Sequence, residues 1–120
     1  MATPDASVPQ VSPAELAEWL KTRPELVLLD VREPFELSAA RLKDARVRHA
    51  PLSRLAEAGE NALPAEARNP HTPMVVLCHH GIRSTQVCWW LRQIGWNQVY
   101  NLTGGLDAYA RLIDPSVGFY

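Results

Sequence analysis

Met74-Val75-Val76-Leu77-Cys78-His79-His80-Gly81-Ile82-Arg83-Ser84 is an apolar run that ends in a thiol, a short loop and the start of a helical pattern. Four apolar residues bounded by Pro73 and the loop read as a strand buried on both faces. Beyond the loop, Val87, Trp90, Leu91 and Ile94 fall at i, i+3, i+4 and i+7, the stripe of a helix, and Gly95 suits its C-terminal stop. Cys78 therefore stands at a strand tip just before a helix N-terminus. Backbone N–H groups and the helix dipole favour negative charge there, and the thiolate is the nucleophilic form of cysteine.

The same grammar repeats on either side. Ser12-Pro13-Ala14-Glu15 is a capping box with proline at the first helical position, Val11 and Leu16 occupy its staple positions, and Leu16, Trp19 and Leu20 form an apolar face. Leu26-Val27-Leu28-Leu29 reads as a second buried strand, ending at Asp30-Val31-Arg32-Glu33. Pro34 opens a short helix to about Ala39, Arg46 to His49 alternates like a strand, and Leu52, Leu55 and Ala56 mark another helix. A proline-punctuated connection runs from Asn61 to Pro73. Gln98 to Leu102 is a further strand, and Gly104-Gly105 turns the chain into a last helix carrying Leu106, Tyr109, Ala110 and Ile113. Strands alternating with helices give an α/β fold with a largely parallel central sheet flanked by helices on both faces. In such sheets ligands bind at the carboxyl ends of the strands, the edge shared by Asp30 and Cys78.

Composition narrows the function classes. Twelve Lys and Arg against thirteen Asp and Glu leave no global field to recruit nucleic acid or an anionic membrane, so binding must come from a local site. No apolar run approaches the roughly 20 residues that span a bilayer. Two cysteines make no disulfide framework, and the N-terminal residues lack the charged and apolar regions of a leader, which points to a reducing, cytoplasmic setting. Residues 1–10 are small and polar and read as a flexible N-terminus before one domain over 11–120. Residues 67–106 contain no Asp or Glu but hold Arg68, Arg83, Arg92 and three histidines, a setting suited to an anionic nucleophile and an anionic substrate.

Spacing separates the candidate chemistries. Cys78 to Arg83 is C-x4-R, one residue shorter than the C-x5-R with which cysteine phosphatases surround a phosphoryl group, so the cradle is smaller. At this point the chain resembles the rhodanese family of single-domain sulfurtransferases. The resemblance spans about residues 11–113 and rests on Leu28-Leu29-Asp30-Val31-Arg32-Glu33, the loop Cys78 to Ser84, and Asn101-Leu102-Thr103-Gly104-Gly105-Leu106-Asp107-Ala108-Tyr109. It implies that Cys78 takes the outer sulfur of a small anionic donor, thiosulfate or a persulfide, holds it as a persulfide, and passes it to cyanide, a thiol or a protein. Backbone N–H groups of the six-residue loop would stabilise the persulfide, Arg83 would bind the anionic donor, and His79, His80, Gly81, Ile82 and Ser84 would complete the loop. No metal or organic cofactor is required by such a displacement at sulfur. The chain departs from the family pattern at Ala40-Arg41-Leu42-Lys43-Asp44-Ala45, where a Gly-His-Ile type segment is usual, and at Tyr109, where tryptophan is common.

Other features have plainer readings. Asp30 and Arg32 are candidates for the pocket rim, although an Asp–Arg pair at a strand end more often braces structure. Cys88 lies beside the apolar stripe and reads as a small buried hydrophobe; a resolving role would need its Cα within about 7 Å of that of Cys78. Adjacent Cys78, His79 and His80 without a second ligand pair do not make a metal site. The four tryptophans read mostly as core and helix-flank residues, with Trp89 off the main stripe and a candidate for an exposed partner surface. The alternatives to a sulfurtransferase are a non-catalytic binding or regulatory module built on the same fold and, third, a cysteine phosphatase or arsenate reductase.

Overall fold

The computed structural model describes residues 8–120. Five parallel strands, β1 (Gln10–Val11), β2 (Val27–Asp30), β3 (Val47–His49), β4 (Met74–Leu77) and β5 (Val99–Leu102), lie in the order β1-β5-β4-β2-β3. Every residue of β2 and β4 is buried, because these strands have neighbours on both sides and helices on both faces. Four α-helices cover the sheet: α1 (Pro13–Thr22), α2 (Leu52–Ala58), α3 (Ile82–Gln93) and α4 (Gly105–Leu112).

The strand period of two divides the core. Leu29, Met74, Val76 and Val99 face α2 and α3, meeting Leu55, Val87, Cys88 and Leu91. Leu28, Val75, Leu77 and Leu102 face α1 and α4, meeting Leu16, Leu106, Tyr109 and Ala110. Each such fully buried Leu or Val contributes about 1.5–3 kcal/mol of transfer free energy.

Ser12 caps α1 as its sequence requires, its hydroxyl accepting from the Glu15 N–H while the Glu15 carboxylate accepts from the Ser12 N–H. The short helix at Pro34 is a single 3-10 turn, Pro34–Glu36. Ile94 lies beyond the end of α3 and is exposed, so the buried face of that helix is Ser84, Thr85, Val87, Cys88 and Leu91, a stripe displaced from the one that includes Trp90 and Ile94. The proline-rich connection folds into 3-10 turns, one of which presents the Ala67 carbonyl to the indole N–H of buried Trp96 at 2.9 Å. Trp89 is half-buried against the α2/α3 core.

Of the stretch 1–10, residues 1–7 lie outside the described residues. Val8 is buried and Gln10 pairs with Asn101 at the edge of the sheet, because the β5 edge offers backbone partners that sequence periodicity does not reveal. In the segment that lacks the Gly-His-Ile pattern, Ala40 and Leu42 enter the core and Asp44 pairs with Arg46. The Arg46 guanidinium in turn donates to the carbonyls of Leu20 and Arg23 at the end of α1. Among the described residues no helix is long and apolar enough to cross a membrane.

Candidate functional site

Cys78 follows the last residue of β4 and is 1% exposed. The chain leaves the strand through His79 and His80, turns at Gly81 with a φ of 97°, and enters α3. A left-handed residue is needed for that turn, and glycine adopts it without a Cβ penalty. The turn aims two N–H groups at the sulfur: Gly81 at 3.1 Å and Ser84 at 3.4 Å. The N–H groups of His79, His80, Ile82 and Arg83 meet no protein acceptor among the described residues, so they remain available to an anion.

The loop carbonyls are turned away from the sulfur by a second element. The first turn of α4 donates Leu106 N–H to the Cys78 carbonyl at 2.9 Å and Asp107 N–H to the His79 carbonyl at 3.0 Å. This approach is possible only because residue 105 has no side chain. A Cβ there would lie 2.3 Å from the His79 oxygen and 2.6 Å from the Cys78 oxygen, and the φ of 65° is a glycine conformation. Gly104-Gly105, read from the sequence as a turn, is therefore also the clamp that sets which way the loop's peptide units face.

Behind the sulfur runs a polar chain that is buried from Ser84 to Asn101 and reaches the surface at Gln10 and Thr103. Ser84 Oγ is 3.3 Å from Cys78 Sγ and donates its proton to Asn101 Oδ1; Asn101 Nδ2 donates to Gln10 Oε1 at 2.9 Å, which also accepts from the Thr103 hydroxyl. With its one proton committed to Asn101, the Ser84 oxygen turns lone pairs toward Sγ and accepts from a Cys78 thiol.

Arg83, assigned from the sequence to an anionic donor, is occupied. Its two terminal nitrogens grip both oxygens of Glu36, at 2.6 and 2.8 Å. The Arg83 guanidinium holds the Glu36 carboxyl far below its ordinary value of 4.5, at about 2, helped by the Glu33 N–H and the Tyr120 hydroxyl and opposed by burial. The pair raises the Arg83 guanidinium in turn. Tyr120 O–H donates to Glu36 at 3.0 Å and accepts from Arg32 at 3.1 Å, and its ring stacks on His79 with centroids 3.8 Å apart. Arg32 is fully buried, its guanidinium held by Asp30 at 2.8 Å, so the Asp30–Arg32 pair is an enclosed brace and not an open rim. His79 Nε2 is buried without a hydrogen-bond partner, and burial, then the neighbouring His80, push its imidazolium pKa down. His80 is exposed at the rim, 4.0 Å from Asp107.

Burial pushes the Cys88 thiol strongly up, the reverse of activation. Among the described residues no group of three or more His, Cys, Asp or Glu is arranged to hold a metal ion. Sequence reading missed Glu36, Asn101, Gln10 and Tyr120. Asn101 stood in a segment of the resemblance without a role, and Glu36 left the Glu33-x-x-Glu36 spacing of a capping box, but nothing local links Glu36 to Arg83, 47 positions on.

Comparison with known proteins identifies the family of this fold. The model of the family described as rhodanese-like domain matches residues 12–112. A rhodanese-like/PpiC domain-containing protein of Arabidopsis thaliana is 40% identical over 97 residues, 80% of this chain and 31% of its own length. The chain thus spans about a third of that relative. The thiosulfate sulfurtransferase GlpE of Coxiella burnetii is 31% identical over 100 residues, 83% of this chain and 85% of its own. Among solved structures, the polysulfide-sulfur transferase homodimer of Wolinella succinogenes superposes with a TM-score of 0.72 at 27% identity, covering 90% of this chain and 77% of that one.

Proposed function

The chain belongs to the rhodanese-like family, and from that premise we propose that it is a sulfurtransferase whose carrier is a persulfide on Cys78. The Cys78 thiolate attacks the sulfane sulfur of thiosulfate or a persulfide; the donor's S–S bond breaks, and its electron pair leaves on sulfite or on the donor thiolate. The outer sulfur then passes to cyanide, a thiol or a protein acceptor, which restores the thiolate. The observation that carries this reading is the cradle itself. A nearly inaccessible sulfur receives two backbone N–H groups while four neighbouring N–H groups have no protein acceptor among the described residues, the provision an anionic persulfide needs.

The carboxylate-free stretch 67–106 serves the same end, although the fold brings Glu36 in from outside it to neutralise Arg83. A binding module of the same fold would have no chemical need for a nucleophile at the centre of that array. Intact-mass spectrometry after exposure to glutathione persulfide tests the proposal: one added sulfur atom, removed by a reductant or by cyanide and absent in Cys78→Ser, is expected. An unchanged mass would overturn it.

A further inference from the structure

Arg83 is the one arginine of the Cys78 loop, and both of its terminal nitrogens are spent on Glu36. Arg32 lies wholly inside and is spent on Asp30. The four charges Asp30, Arg32, Glu36 and Arg83 sum to zero and are joined through the Tyr120 hydroxyl into one chain. What remains aimed at the sulfur is a set of N–H dipoles, and neither arginine brings an unpaired formal charge to a dianion there. Thiosulfate carries two charges and would have to compete with Glu36 for the guanidinium.

The surface beside this pair is apolar. Phe35, next in the chain to Glu36, is 79% exposed, and Ile82, next to Arg83, is 71% exposed. The bidentate bridge ties their two elements together, so each side of the bridge carries an exposed apolar neighbour in the chain. Exposed apolar groups beside the site suit the carbon skeleton of an organic thiol better than they suit a small inorganic dianion.

We propose that Glu36 is a specificity-determining residue that turns the site from thiosulfate toward sulfane sulfur carried on an organic thiol. This rests on the sulfurtransferase reading. In the favoured step the Cys78 thiolate attacks the terminal sulfur of R–S–SH; the S–S bond breaks, R–S⁻ leaves, and the proton on the transferred sulfur passes to that thiolate. No oxidant or further reactant is needed.

The test follows sulfur loading of Cys78 by quenched intact-mass spectrometry, at varied concentrations of thiosulfate and of glutathione persulfide, for wild type, Glu36→Gln and Glu36→Ala. Wild type is expected to half-saturate at a lower concentration of glutathione persulfide than of thiosulfate. Freeing the guanidinium should lower the half-saturating thiosulfate concentration about tenfold, the worth of one charge-assisted contact, and should change that for glutathione persulfide far less. Replacing Arg83 by alanine in the Glu36→Gln background should abolish the gain. The proposal is overturned if wild type half-saturates with thiosulfate at the lower concentration, a comparison that needs no variant. It is also overturned if both Glu36 variants load from glutathione persulfide with their thiosulfate dependence unmoved. Loading of wild type from neither donor would instead overturn the sulfurtransferase reading.

Discussion

Replacing Gly105 by alanine asks whether the α4 clamp holds the Cys78 loop. The new Cβ would lie 2.3 Å from the His79 oxygen, 2.5 Å from the His79 carbonyl carbon and 2.6 Å from the Cys78 oxygen, all backbone atoms that cannot rotate away. Left-handed backbone costs alanine about 1–2 kcal/mol. Relieving the overlap moves the loop off α4 and gives up the bonds from Leu106 and Asp107, each worth about 1 kcal/mol. The expected loss is about 3 kcal/mol, a fall of roughly 1.5 M in the urea midpoint for a typical m-value. Gly59→Ala is the control. Gly59 has a φ of 61° and a ψ of −143°, a backbone that itself favours glycine, but nothing within 4 Å of its would-be Cβ, so its variant carries backbone strain without a collision and should keep sulfur loading. Sulfur loading of Cys78 in the folded fraction of Gly105→Ala should fall at least tenfold, because the Gly81 and Ser84 N–H groups move with the loop. Normal loading in Gly105→Ala, or an unchanged urea midpoint, would refute the clamp.

Two further outcomes are expected. Cys88→Ala should keep sulfur loading at the wild-type rate and cost about 1 kcal/mol in denaturant unfolding, because Cys88 is a packed core atom whose thiol burial holds protonated. The Glu36–Arg83 bridge should show in acid. The Glu36 carboxyl is depressed in the folded protein, so its contribution is fully present above the ordinary value of 4.5 and is lost as pH falls through about 2. The stability difference between wild type and Glu36→Gln, read from urea midpoints, should therefore be constant at neutral pH and shrink between about pH 4.5 and 2.

What could be read in advance was whatever local chemistry encodes. The apolar runs gave β2 and β4, Ser12 to Glu15 gave the start of α1, and the alternation of strands with helices gave the parallel sheet and the edge at which Cys78 emerges. Polar partners reached across the fold were hidden. Glu36 meets Arg83 only because a 3-10 turn after β2 and the first turn of α3 arrive at the same edge, and Asn101 meets Ser84 only because β5 lies beside β4. β1 escaped notice because two residues carry no period; its identity lies in the free edge of β5. The stripe of α3 kept Val87 and Leu91 but runs through Ser84 and Cys88 in place of Trp90 and Ile94, because Ile94, apolar by type, falls after the helix has ended.

β1 also ties the sulfur to the rim of the sheet. It joins β5 through a short ladder that includes bonds from Asn101 N–H to the Pro9 carbonyl and from Thr103 N–H to the Val11 carbonyl, both 2.9 Å. Short edge ladders open at less free-energy cost than central strands. When this one opens, Gln10 withdraws its oxygen from Asn101 Nδ2, and the polar chain that ends at Ser84 and the sulfur loses its outer member. Amide exchange at Asn101 and Thr103 is therefore expected to report how often the support behind the buried sulfur comes loose from the margin of the sheet.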